Sequence, residues 1–500
     1  MNKKSLFILT TLSLLHSLIG CNSESKSEGK LSYSEAQCNL SNRNVDATKT
    51  FTLCKKLAEQ GNADAQYLLG LMYYKGQGVV KDKAQAFQWF QKAAVQGNSR
   101  GQVKLGRRYR LGEGVDKDLT LAFQWYQKAA AKGDSGGQTM LGFMYEFGNG
   151  VEKDLTLAFQ WYQKAAVQGF DLGQSSLGKM YEFGSGVDKD LIQAFQWYQK
   201  AAEQGHAFGQ FNLGRMYNFG KGVDKDLIQA FLWYQKAAEQ GSAYGQFELG
   251  QMYYFGKSVE KDFTKAFHWY QKAAEQGDAK GQSALGRMYE VGEGVDKDLT
   301  QAFQWYQKAA EQGHALGQVS LGAMYEFGSG VDKDLTQAFQ WYQKAAEQGY
   351  ALGQVSLGAM YEFGKSVDKD LTQAFQWYRK AVEQGYDFGQ FNLGRMYKFG
   401  RGVDKDLTQA FQWYKKAAEQ GSAYGQFELG QMYYFGKSVE KDFTKAFHWY
   451  QKAAEQGDAK GQSALGRMYE VGEGVEKDLT QAFQWYQKAV EQRDAYGHLN

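Results

Sequence analysis

The sequence predicts an all-α solenoid of about twelve helix–turn–helix repeats, each 36 residues long. Three observations carry that prediction. Twelve tryptophans run from Trp89 and Trp125 to Trp449 and Trp485 at a constant spacing of 36, and none falls outside the series. A fixed period of this size marks a repeat array. Within each period, apolar residues fall into two groups at helical spacing, such as Leu213, Met216 and Tyr217, then Ala230, Trp233, Tyr234 and Ala237. Glycines punctuate the groups: Gly220 and Gly222 between them, Gly241 after them. The 500 residues contain no proline, which removes the usual linker signal. One elongated array therefore replaces the several domains that such a length suggests.

The elements follow in order. Lys3 and Lys4 precede a mostly apolar stretch from Ser5 to Ile19. It has the length of a signal-peptide apolar segment and is too short to span a membrane as a helix. It ends in Leu18-Ile19-Gly20-Cys21, which resembles the lipobox of bacterial lipoproteins. The resemblance implies removal of residues 1–20, lipidation of Cys21 and, because Asn22 rather than an aspartate follows, an outer-membrane position. An unmodified Cys21 after a plain signal peptide is the alternative. Residues 21–44 are rich in Ser, Glu, Lys and Asn and read as a flexible tether. Cys38 and Cys54 are a candidate disulfide, permitted in an exported chain and worth about 3 kcal/mol, with two free thiols the other reading. Residues 45–61 align with the second half of a repeat, with Leu53 at the tryptophan position, and suit an N-terminal cap.

Residues 62–493 hold the twelve units, and residues 494–500 a truncated end. Each unit reads as two amphipathic helices, A and B. Gly220 can take positive φ to stop helix A. Asp226 is placed to cap helix B, and an aspartate holds that phase in every unit from Asp82 to Asp478. Gly214 lies inside helix A, where glycine costs about 1 kcal/mol relative to alanine; its presence in every unit implies close helix approach beneath a Trp or Tyr ring. The tryptophan–tyrosine row is read as core rather than as a stacking platform for sugars or bases. Two features run against helix and turn preferences. Eleven units place glycine at the phase of Ala65, such as Gly101 and Gly209, which weakens the start of helix A. Ser258, Ser366 and Ser438 replace the second turn glycine, so those turns are strained or differently shaped.

The pattern Leu213-Gly214-x-x-Tyr217, Gly220-x-Gly222-Val223, Asp226, Ala230-x-x-Trp233-Tyr234-x-Lys236-Ala237-Ala238 and Gly241 resembles the Sel-1-like repeat, a relative of the tetratricopeptide repeat. That resemblance implies a right-handed α/α superhelical solenoid with helix A lining a concave groove. It also implies a protein- or peptide-binding role.

Comparison between units locates variation on helix A at the phases of Asp64, Leu68, Leu71 and Lys75, which share one face. The candidate protein-binding groove comprises Arg107, Lys179, Phe208, Asn212, Arg215, Phe219, Tyr244, Gln251, Phe255, Arg287, Arg395 and Arg467. Aromatic and arginine side chains are common interface anchors. For the arginines the alternative is a solvated face with Arg287 paired to Glu290 and Arg467 to Glu470. For the phenylalanine row, Phe147 to Phe435, it is packing against the next turn. Residues 241–295 recur unchanged at 421–475, a sign of modular duplication.

The formal net charge of +3 gives no footprint for nucleic acid. The histidines outside the leader show no metal-ligand spacing, no phosphate-binding loop is present, and no serine, histidine and acid trio stands apart from the repeats. No cofactor is expected. The function read from the sequence is a non-enzymatic scaffold or adaptor, lipid-anchored to a bacterial envelope, binding a protein or peptide partner. The alternative is a β-lactam-binding or β-lactamase-like protein, as described for cysteine-rich relatives. Those carry cysteine pairs within their repeats, and this chain has none after Cys54; nitrocefin hydrolysis separates the two.

Overall fold

The computed structural model describes residues 47–497, and among these are 25 helices and no strand. The architecture is an all-α repeat solenoid. The described residues divide into two compact units, 47–273 and 274–497. Cys21, Cys38 and the tether lie outside the described residues.

The capping half-repeat is a helix, Ala47–Glu59, followed by helix A of repeat one, Ala63–Lys75, and helix B, Lys83–Val95. Repeat five shows why the residues fold as they do. Helix A spans Ala207–Phe219 and helix B Leu227–Glu239. Gly220 ends helix A at φ 63, where a side chain would be strained, and its N–H donates to the Met216 carbonyl. The Asp226 N–H returns to the Tyr217 carbonyl at 3.0 Å. Its Oδ1 then accepts from the backbone N–H groups of Ile228 and Gln229 at 2.9 and 3.0 Å, satisfying donors that a helix start leaves open. Ser258, Ser366 and Ser438 keep the same turn by adopting positive φ themselves, at 60, 60 and 57°. These turns are strained rather than reshaped.

The glycine inside helix A has a specific neighbour. A Cβ at Gly214 would stand 2.8 Å from Cδ1 of Tyr234. Tyrosine is therefore the ring that the glycine admits. Tyr234 is buried with Ala230, Ala238, Leu249 and Met252. The tryptophan packs at the rim of the core, Trp233 lying against the cluster of Ala194, Tyr198, Ala202, Leu213 and Met216. Trp233 is half-buried, and Lys236 lays its ammonium over the outer face of the ring at 3.9 Å from the centroid. One turn of helix separates the two residues, and the aliphatic stem of the lysine covers the indole. The glycines at the Ala65 phase also have a packing reason: a Cβ at Gly209 would meet the Ala201 Cβ at 2.8 Å. Helix A thus begins in close contact with the end of the preceding helix B.

Neighbouring A helices also meet one another, as Ser99–Leu111 meets Ser135–Phe147 and Ala315–Phe327 meets Ala351–Phe363. The B helices make no comparable approach among the described residues. Within each unit the A helices therefore occupy the tighter side.

Candidate protein-binding face

The variable phases of helix A meet three different fates. The first is an ion-pair lock between neighbouring repeats. In repeat nine, Glu362 is almost wholly buried. It accepts a hydrogen bond from the Tyr378 hydroxyl of its own helix B at 2.9 Å. It also pairs with Arg395 on helix A of repeat ten and with Arg401 in the following turn at 3.1 Å. The same arrangement joins Tyr198, Glu182 and Arg215. It recurs for Tyr162, Glu146 and Lys179, with Lys179 Nζ 2.7 Å from Glu146. Burial beside Glu362 and Glu182 pushes the Tyr378 and Tyr198 hydroxyls well above the ordinary tyrosine range. Lys179, Arg215 and Arg395 are therefore spent holding repeats together. Asn212 is likewise buried: its amide donates to the Phe208 carbonyl and its oxygen accepts from Arg215, both at 2.9 Å.

The second fate is side-chain stacking on the helix A face. Tyr244 lies 5.5 Å from Phe211, and Phe208 meets His206 edge-on at 6.5 Å. Arg107 and Gln251 are half-buried.

The third fate is exposure. Phe183, Phe219 and Phe255 in the first unit, and Phe327, Phe363, Phe399 and Phe435 in the second, are 45 to 71% exposed at the ends of their A helices. Phe147 differs, being half-buried against Phe143 at 4.7 Å. Arg287 and Arg467 are exposed. The expected partners of these two arginines, Glu290 and Glu470, accept hydroxyl hydrogen bonds from Tyr306 and Tyr486 at 2.6 and 2.7 Å.

In the second unit the face opens into a cleft of about 520 Å³ between repeats eleven and twelve. Phe427, Tyr434, Phe435 and Tyr450 give it aromatic walls, with Lys460 and Arg467 at its edge.

One set of residues escaped the sequence reading. A glutamine follows the start of every A helix, from Gln66 to Gln462, and all twelve are buried. Gln354 donates to the Ala346 carbonyl at 3.4 Å and accepts from Gln384 at 2.9 Å. It thereby closes the end of one helix B onto the start of the next helix A. Its invariance between units was the available signal. Cys54 is buried and disulfide-bonded; Cys38, the candidate partner, lies outside the described residues. Among the described residues no group of three or more His, Cys, Asp or Glu side chains is arranged to hold a metal, and no helix is long and apolar enough to cross a membrane.

The Sel1 repeat profile matches twelve segments in register with the helix pairs: 63–98, 99–134, 135–170, 172–206, 207–242, 243–278, 279–314, 315–350, 351–386, 388–422, 423–458 and 459–494. Among solved structures, the chain is similar to a protective antigen present in uropathogenic Escherichia coli strains that displays an SLR fold. The two are 40% identical over 90% of this chain and 96% of that one, with a TM-score of 0.62. It is 34% identical to a Sel1 repeat protein from Oxalobacter formigenes over 61% of this chain and 90% of that one, with a TM-score of 0.44. It is 37% identical to Helicobacter pylori cysteine rich protein B over 26% of this chain and 92% of that one, with a TM-score of 0.22. No curated protein matches the chain.

Proposed function

Because the chain belongs to the Sel1 repeat family, whose members serve as protein-interaction scaffolds, we propose that it is a non-enzymatic adaptor of a bacterial envelope. In this reading it holds a protein or peptide segment along the A-helix face and is anchored by a lipid on Cys21. The observation that carries the binding role is the exposed phenylalanine row. Phe327, Phe363, Phe399 and Phe435 leave large apolar side chains in water at one phase of four successive repeats. Single exposed apolar residues are ordinary, but a repeated row marks an interaction surface. The E. coli relative is a protective antigen, which suits a chain displayed on the envelope, at the outer membrane.

Two measurements test this reading. In a pull-down from bacterial envelope extract, replacing Phe327, Phe363, Phe399 and Phe435 by serine should abolish capture of the partner while circular dichroism stays unchanged. Equal capture would move the site to the B helices or the tether. Cys21→Ser should shift the protein from the membrane pellet to the soluble fraction and end palmitate labelling; unchanged attachment would remove the lipid anchor from the proposal.

A further inference from the structure

We propose that the cleft between repeats eleven and twelve is a recognition pocket for a peptide in which a large apolar side chain stands beside a carboxylate. This rests on the scaffold reading and names the chemistry of one site within it.

The hollow is lined on the repeat-twelve side by small side chains and a lysine. Ser463, in helix A of repeat twelve (Ala459–Val471), stands at the phase that Phe391 and Phe427 fill in repeats ten and eleven. Phe391 packs on Tyr414 at 6.1 Å and on Tyr424 at 5.5 Å. At the next seam Phe427 keeps the Phe391 phase, but Lys460 stands at the phase of Tyr424 and brings no ring onto it, and Ser463, Ala459 and Ala464 add little beside it. The remaining cleft of about 520 Å³ lies within the range of ligand pockets, roughly 300–1,000 Å³. It can take a phenylalanine- or leucine-sized side chain with adjoining backbone.

Its charge has an equally local origin. Arg467 occupies the phase at which Arg395 and Arg215 are locked to a buried glutamate. The glutamate phase in repeat eleven is Tyr434. The Tyr434 hydroxyl donates instead to Glu473 in the next turn, which raises its own pKa. Arg467 is left with only the ring of Tyr434, 5.9 Å from its guanidinium. Among the described residues neither Arg467 nor Lys460 forms a salt bridge. The surrounding carboxylates are engaged: Glu428 with Lys398 at 2.6 Å, Glu470 with the Tyr486 hydroxyl at 2.7 Å, and Glu473 with Tyr434. Arg467 thus lines an aromatic hollow without a salt bridge, beside Lys460, whose charge acts on Asp458. An apolar side chain gains burial inside, and a neighbouring carboxylate gains a charge-assisted contact with Arg467. A guanidinium suits this role because it is always charged and can bind a carboxylate through two N–H groups.

The test uses the full chain and a fluorescein-labelled pentapeptide, Gly-Asp-Phe-Asp-Gly, followed by fluorescence anisotropy. Wild type should bind it saturably. Asn in place of both Asp residues, or Ala in place of the Phe, should weaken binding about tenfold or more. Because residues 241–295 repeat the same sequence, each substitution is made together with its copy there. Arg467→Glu with Arg287→Glu should weaken binding similarly. Ser463→Phe with Ser283→Phe should abolish it, phenylalanine being the residue that repeats ten and eleven already accommodate at this phase. Lys236→Glu, on helix B of repeat five, should bind as wild type. The proposal is overturned by absence of saturable binding at millimolar peptide, or by equal binding to the paired Ser463→Phe and Ser283→Phe variant. Competition by N-acetylphenylalanine at the same concentration as the pentapeptide would replace the peptide with a free aromatic acid. An envelope partner captured equally by wild type and that paired variant would overturn the cleft while the scaffold reading stands. Failure of wild type to capture any partner would sink the scaffold reading itself.

Discussion

Two seams of the second unit are built from the same phases and end differently. Between repeats nine and ten, Glu362 gathers Tyr378, Arg395 and Arg401 into a buried lock. Between repeats eleven and twelve, Tyr434 takes the place of the glutamate and Arg467 remains exposed beside a cleft. The backbone-level fittings are common to both. Asp370 and Asp442 cap the B helices, Gln354 and Gln426 tie the A helices of repeats nine and eleven to the helix B before, and Gly358 and Gly430 lie under Tyr378 and Tyr450. Because those fittings hold the repeats in register, the glutamate–arginine phases can serve as a lock in one seam and a binding edge in another. Nearest-neighbour construction makes such exchange possible, since each seam contributes its own interface term to stability.

The largest expected difference between the seams comes from reversing one charge. Arg395→Glu would set a second carboxylate against Glu362, which is only 1% exposed. Breaking a buried ion pair from one side costs about 3 kcal/mol or more. The loss should appear in a urea titration and as faster hydrogen exchange confined to repeats nine and ten. Arg467→Glu, at the same phase on an exposed site, should change stability by no more than about 0.5 kcal/mol. Equal losses would mean that the two seams do not differ as their geometry indicates.

A second comparison should find no difference. Gln354→Ala removes one bond to the Ala346 carbonyl and one from the Gln384 amide, and Gln426→Ala does the same at the Ala418 carbonyl and Gln456, while Gly349 and Gly421 still donate to those carbonyls. Each should cost about 1 kcal/mol, the net contribution of a hydrogen bond whose partners keep other donors or reach water. A large gap between the two values would show that the joint is not shared equipment.

These pairs also show what the sequence made legible. The two-helix unit, the aspartate caps and the glycine beneath an aromatic ring followed from period, capping chemistry and helical spacing inside one repeat. The choice of Tyr over Trp as the buried ring did not, because both sit on the same apolar stripe. Their separation depends on the direction each side chain takes and on a lysine one turn away. The locks at part of the arginine phase were not legible for a related reason. Ion pairs were sought three residues apart within a helix, whereas Arg395 reaches Glu362 across 33 positions and a repeat boundary. The clue lay in how two phases change together: Glu146 precedes Lys179, Glu182 precedes Arg215, and Glu362 precedes Arg395, while Tyr434 precedes Arg467. The cleft required a third phase, that of Ser463, to be read jointly with these two.

Alkaline pH separates the seams by a smaller margin. Burial, then the neighbouring Glu362, hold the Tyr378 hydroxyl above its ordinary value of 10.0. The folded state therefore favours the protonated phenol. That contribution is complete below pH 10 and is lost as pH rises through and beyond it, at about 1 kcal/mol per pH unit. Phenolate absorbance from Tyr378 should appear only with loss of helical signal. Tyr434 is raised chiefly by its hydrogen bond to Glu473 and lies at a half-buried edge, so Glu473→Gln should let it ionise before unfolding. Comparing near-ultraviolet titrations of Tyr378→Phe and Tyr434→Phe with wild type assigns the two steps. Ionisation of Tyr378 in the folded state would contradict its burial.

The smallest difference lies in the turns. Repeats nine and eleven each carry a serine where most repeats place the second turn glycine, Ser366 at φ 60 and Ser438 at φ 57. A non-glycine residue in this region costs about 1–2 kcal/mol. Glycine would relieve it and would lose roughly 0.5–1 kcal/mol through the greater freedom of its unfolded chain. Ser438→Gly should therefore gain about 0.5 kcal/mol, visible as a small rise in Tm. Ser366 has something more to lose, since its hydroxyl lies 2.9 Å from that of Thr336 in the preceding repeat. No such bond forms at Ser438 among the described residues, so Ser366→Gly should gain nothing. Ser438 follows Phe435 by one turn, and Lys437 already lies over that ring at 5.2 Å. Keeping the backbone conformation should leave pentapeptide affinity unchanged. An equal gain in Tm at both serines would mean that the Ser366–Thr336 contact contributes nothing across its seam, and a change in affinity at Ser438 would mean that the turn shapes the cleft.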